Sequence, residues 1–113
     1  MAQVYAEAEV IAWLEGNLPA WSLEEGFVTR TYTTRNWQLT LLLANAIGYL
    51  AEAAWHHPEL ILSYPRLMVR LPTHDAGGIT DKDFELARRI EAAVTWRPTP
   101  EDALEGTPKR WVE

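Results

Sequence analysis

Residues 52–83 read EAAWHHPELILSYPRLMVRLPTHDAGGITDKD. In order, this stretch carries the end of a helix, two short strands and the start of another helix. Pro58 disfavours helical geometry at the residue before it, so the helix ends by His57. Leu60–Tyr64 and Leu67–Leu71 are strand-like runs on either side of Pro65-Arg66, and Pro65 suits a turn better than a central strand. Asp75-Ala76-Gly77-Gly78 reads as a loop. Thr80 follows as an N-cap, and Asp83 stands three residues on, where it closes a capping box. All three histidines of the chain, His56, His57 and His74, lie in this stretch. No other part of the chain concentrates groups that titrate near neutral pH.

Upstream, Trp37 to Ala54 contains no proline and a single glycine, Gly48, with Asn36 in front as an N-cap. The spacing predicts one long helix, apolar over much of its circumference and therefore central. Residues 4–17 predict a first helix with Val10, Ile11, Trp13 and Leu14 on its apolar face; Gly16-Asn17 and Pro19 end it. Trp21–Leu23 is a short strand, Glu24-Glu25-Gly26 a turn, and Phe27–Thr34 a β-rich run with Val28, Arg30, Tyr32 and Thr34 on one face. Downstream, Phe84, Ala87, Ile90, Glu91 and Val94 form the stripe of a third helix, with Arg88-Arg89 on its wet side. Beyond Trp96 the composition turns proline-rich and acidic. The chain therefore divides into a domain, 1–96, and a tail, 97–113, that reads as an extended arm or disordered end. Trp111 is a candidate to dock on the domain or on a neighbouring subunit. The element order predicts an α+β fold: a four-stranded, mainly antiparallel sheet with three helices packed on one face.

Bulk properties narrow the function. The formal charge of −6 and ten scattered Lys and Arg residues argue against a nucleic-acid surface. No apolar run approaches the roughly 20 residues of a membrane span. The N-terminus, with Glu7 and Glu9, does not resemble a secretory signal, which makes the cytoplasm the expected location. Without cysteine there is no disulfide framework, no thiolate nucleophile and no Cys-based zinc site.

The histidines admit two chemistries. Three imidazoles can hold zinc with an open position, but adjacent side chains rarely reach one ion, and the His-x-x-x-His spacing is absent. Proton transfer without a metal suits groups whose unperturbed pKa is about 6.5. Glu52 lies four residues before His56, on the same side of the helix, and is expected to orient it. Taken singly, each feature has a structural explanation: Pro58 as a helix stop, Thr80 and Asp83 as a cap, Gly77-Gly78 as a turn.

At Ala51-Glu52-Ala53-Ala54-Trp55-His56-His57-Pro58, Tyr64, Thr73-His74-Asp75-Ala76-Gly77-Gly78-Ile79-Thr80-Asp81-Lys82-Asp83 and Leu86-Ala87, the chain resembles the pterin-4a-carbinolamine dehydratases. The likeness runs from about Val10 to Val94, and Leu18-Pro19-Ala20-Trp21 also matches. It implies loss of water from 4a-hydroxytetrahydrobiopterin to give quinonoid dihydropterin, a step in recycling tetrahydrobiopterin. The pterin would be the substrate, with no bound cofactor and no metal, and the assembly a homodimer or homotetramer. The resemblance puts His56, His57 and His74 in the active site. His56 and His74 would do the acid–base work: one protonates the departing hydroxyl, the other accepts the proton from N5. His57 would position the pterin. Glu52, Asp83, Trp21 and Thr73 would contact the substrate or orient the imidazoles. Trp55 departs from the family, whose members often carry a small polar or acidic residue there. The alternative is a non-catalytic binding or assembly protein on the same fold, like the relatives that act as a transcription coactivator or resemble Rubisco assembly factors.

Overall fold

A computed structural model of the chain describes residues 3–72, 77–109 and 111–113. Three helices and four strands alternate in the expected order: α1 (Glu7–Asn17), β1 (Ser22–Glu24), β2 (Phe27–Thr33), α2 (Trp37–Ala54), β3 (Glu59–Ser63), β4 (Arg66–Leu71) and α3 (Asp81–Val94). The strands form one antiparallel sheet in the order β1-β2-β4-β3. Helix α1 begins three residues later than its apolar pattern suggests. Tyr5 is instead tied to the start of α3, its N–H to the Ile79 carbonyl at 2.9 Å and its hydroxyl to Asp81 Oδ1 at 2.6 Å.

Strand alternation sets the layers. Tyr32 faces Leu67 across the β2–β4 ladder, and Leu67 faces Leu62 of β3; Val69 lies between Arg30 and Leu60 in the same way. Val28, Tyr32, Leu67, Val69 and Leu71 are buried under the helices, with Leu60 and Leu62 packed alongside. The other face carries Thr31, Met68 and Ile61 in register, flanked by Thr29, Arg70 and Glu59. The β1–β2 hairpin turns through Glu25 and Gly26, both at positive φ (52° and 84°), the two-residue turn whose twist suits a hairpin.

Helix α2 starts where Asn36 Oδ1 accepts the Leu39 N–H at 2.8 Å. Leu39, Thr40, Leu43, Ile47 and Ala51 are buried, whereas Trp37, Leu41, Leu42 and Tyr49 are exposed. The helix is therefore covered on one side only. Its sequence is apolar nearly all round, and that property alone overstates its burial. Among the described residues no helix is long and apolar enough to cross a membrane.

The tail's last residues are docked rather than loose. Thr33 and Glu113 exchange two backbone hydrogen bonds, at 2.7 and 3.0 Å, Val112 is buried, and Arg97 lies over the Trp111 ring. Deleting Trp111–Glu113 removes this pairing and Val112's burial, worth about 2–4 kcal/mol together. The urea unfolding midpoint of the shortened protein should fall accordingly; an unchanged midpoint would mean that the docking contributes nothing in solution.

Candidate active site

The site starts from how α2 ends. Trp55 has φ 53° and ψ 47°, left-handed geometry usually given to glycine. A residue with a side chain gives up about 1–2 kcal/mol there. The Trp55 N–H donates to the Ala51 and Glu52 carbonyls, and the His56 N–H to the Ala51 carbonyl at 3.1 Å. This reversal of hand over a single residue turns the chain off the helix axis before the two histidines, and they find different partners.

His56 reaches the first turn of α3. Its Nε2 lies 2.8 Å from Asp83 Oδ1, and its side chain is 17% exposed while that of Asp83 is fully buried. The other carboxylate oxygen, Oδ2, accepts the Thr80 N–H at 2.9 Å. Asp83 thus closes the capping box and holds the imidazole at once. An ionised carboxylate only accepts, so Nε2 carries the hydrogen and Nδ1 of the neutral ring is left with its lone pair. Such a ring has a fixed tautomer, with a lone pair on Nδ1 that can take up a proton.

Glu52 does not orient His56. Helical spacing predicts that pairing, but the left-handed turn at Trp55 breaks the spacing, and Glu52 Oε1 instead meets His57 Nε2 at 2.9 Å. Both side chains are largely exposed, so this pair is the weaker of the two. The Trp55 and His57 rings meet edge to face, with centroids 5.0 Å apart and planes at 81°.

Trp21 sits in the core with its indole N–H donated to Glu91 Oε1 at 2.9 Å. Glu91 lies eight residues beyond Asp83, about 12 Å along the helix, so this N–H is committed away from His56. The same Glu91 oxygen accepts from Tyr32 Oη at 2.7 Å and from Arg30 Nε at 3.1 Å. Burial pushes the Glu91 carboxyl up, but the hydrogen bonds from Arg30, Tyr32 and Trp21 outweigh it and hold the group below the usual carboxylate range. Burial, then the bond to Glu91, pushes the Tyr32 phenol well up. Sequence reasoning missed this cluster. Its signal was a glutamate inside an otherwise apolar stripe, opposite an arginine on a strand face that also carries buried residues.

The candidate residues Thr73 and His74 lie outside the described residues. Two open grooves flank α3. One, of about 1040 Å³, is lined by Trp13, Phe84, Arg88 and Trp96 among others. The other, of about 410 Å³, lies between Ala53, Ala54 and Arg89. Neither includes His56 or His57.

The profile of the family described as "Pterin 4 alpha carbinolamine dehydratase" matches residues 3–93. The chain belongs to this family. It is 43% identical over 94 residues to an Aquifex aeolicus protein named "Putative pterin-4-alpha-carbinolamine dehydratase", covering 83% of this chain and 94% of that one. A Chloroflexus aurantiacus protein of the same name is 42% identical over 86 residues, 76% of this chain and 91% of its own. The crystal structure of a Brucella melitensis protein, named a transcriptional coactivator/pterin dehydratase, superposes with a TM-score of 0.71 at 26% identity, covering 80% of this chain and 97% of that one. Within the pterin-4-alpha-carbinolamine dehydratase family, then, the described geometry is a buried Asp83–His56 pair beside an exposed Glu52–His57 pair.

Proposed function

We propose that this chain removes water from a 4a-hydroxytetrahydropterin, the 4a-carbinolamine, to give quinonoid dihydropterin. As a family member it is a dehydratase, a hydro-lyase. The observation that carries the mechanism is the buried carboxylate of Asp83 on His56 Nε2, which leaves Nδ1 as the proton-exchanging atom. In the reaction the N5–H proton passes to a base, the N5 pair forms the N5–C4a double bond, and the C4a–O bond breaks as an acid protonates the hydroxyl, which leaves as water. Nitrogen push makes the departure easy, so the reading needs no metal, and general catalysis of about 10²–10⁴-fold per group suffices. His56 takes one of the two proton transfers and His74 the other; the assignment of His74 rests on the resemblance alone. His57, steadied by Glu52, positions the pterin, and Thr73, which precedes His74 in the sequence, is taken as a contact. Trp21, with its N–H committed to Glu91, has a packing role in this reading.

Tetrahydrobiopterin recycling in the cytoplasm, by a homodimer or homotetramer, is the setting that this chemistry fits. The exposed apolar residues of α2 favour self-association. A second reading, a coactivator-like binding protein, draws on the name of the Brucella melitensis protein. The test is the rate at which a synthetic 4a-hydroxytetrahydropterin loses water. The protein should raise that rate above the buffer rate in proportion to its concentration. Equal rates with and without protein would end the dehydratase reading and favour the second.

A further inference from the structure

The free protein gains little from the tryptophan at position 55. The side chain is 76% exposed, the highest among the large hydrophobic residues described, so it contributes almost nothing to the core. Its backbone occupies a left-handed position that glycine or asparagine would fill with less strain. Yet the indole has a defined orientation. It stands edge to face against His57, whose Nε2 is held by Glu52, so the chain Glu52–His57–Trp55 props an aromatic surface at the residue that precedes His56 in the sequence. Two rings at 81° make a corner, and a bicyclic heterocycle can lay the conjugated part of its ring on one wall while its polar edge meets the other. Stacking on an exposed indole suits the conjugated face of a pterin and asks for no hydrogen-bond match.

We propose that Trp55 is a substrate-contacting residue, the wall on which the pterin ring stacks. The inference rests on the dehydratase reading and names the residue that sets its affinity. Stacking acts on substrate and transition state alike, so it belongs to KM and not to kcat. Three proteins distinguish the outcomes: wild type, Trp55→Asn, which suits the left-handed backbone, and Trp55→Phe, which keeps an aromatic face. In dehydration assays Trp55→Asn should raise KM about tenfold with kcat within about threefold, and Trp55→Phe should recover most of the loss. Calorimetric titration with 7,8-dihydropterin should show the same ordering in Kd. The thermal midpoint of Trp55→Asn should stay level or rise, because the strain is relieved. Equal KM and Kd for wild type and Trp55→Asn would overturn the proposal. So would a rise in KM that tracks dissociation of an oligomer in sedimentation, since that is the behaviour of a subunit contact. If wild type leaves the dehydration rate unchanged but binds 7,8-dihydropterin, and Trp55→Asn binds it tenfold more weakly, the dehydratase reading fails and the stacking wall stands.

Discussion

Asp83→Asn should lower kcat for dehydration by about 10²–10⁴-fold while the protein stays folded. The amide keeps the volume of the carboxyl, and its oxygen can still accept the Thr80 N–H that Asp83 Oδ2 accepts now. Its NH₂ group is then what faces His56 Nε2. A donor there forces Nε2 to accept, which moves the ring hydrogen to Nδ1 and fills the position that exchanges protons. The substitution also removes the negative charge that stabilises the imidazolium formed during turnover. The cost in stability should be that of a weakened cap, roughly 0.5–2 kcal/mol. Stopped-flow absorbance of the dihydropterin product reads the first effect and thermal melting the second. A kcat within threefold of wild type would mean that the tautomer of His56 has no part in the reaction.

Among single substitutions, the largest stability effect should come from Glu91→Gln. Glu91 receives Trp21, Arg30 and Tyr32 on one oxygen and joins α3 to the sheet. The side chains of Arg30 and Glu91 are 12% and 22% exposed, so the arginine would be left half-desolvated without its counter-charge. Breaking a mostly buried pair on one side should cost about 2–4 kcal/mol, somewhat below a fully buried case. Chemical unfolding of the two proteins at neutral pH measures this directly, and a difference under about 0.5 kcal/mol would show that the cluster is idle.

The pH dependence has a definite sign. The Glu91 carboxyl is held below its ordinary value in the folded protein. Its contribution is therefore present above the unfolded carboxylate value of about 4.3 and is lost as pH falls through the lower folded value. The gap between wild type and Glu91→Gln should narrow on acidification. At the alkaline end the raised Tyr32 phenol stays protonated in the folded chain while the unfolded chain ionises near pH 10, so stability should fall above about that pH.

Local signals explain which parts of this were legible. Pro58, the Asn36 and Thr80 caps and the strand alternation of β4 act within a few residues, and they locate the helix ends and the sheet face. The double role of Asp83 was half legible: its spacing from Thr80 marks the cap, but the bond to His56 spans 27 residues and depends on how α2 and α3 pack. Helical spacing assigns Glu52 the wrong partner because it is carried past the point where the helix stops, and a tryptophan gives no warning of a left-handed turn. The exposure of Trp37, Leu41 and Tyr49 on α2 shows that composition reports what a helix can bury and not what the fold covers. The docking of the tail on Thr33 is a pairing of backbone groups, to which side-chain composition is blind.

The most direct test is single-turnover dehydration of a 4a-hydroxytetrahydropterin by wild type and His56→Ala, both shown to be folded by circular dichroism. The alanine protein should be slower by at least about a hundredfold, with added imidazole restoring part of the rate. A His56→Ala protein that matches wild type would contradict the assignment of proton transfer to the imidazole held by Asp83.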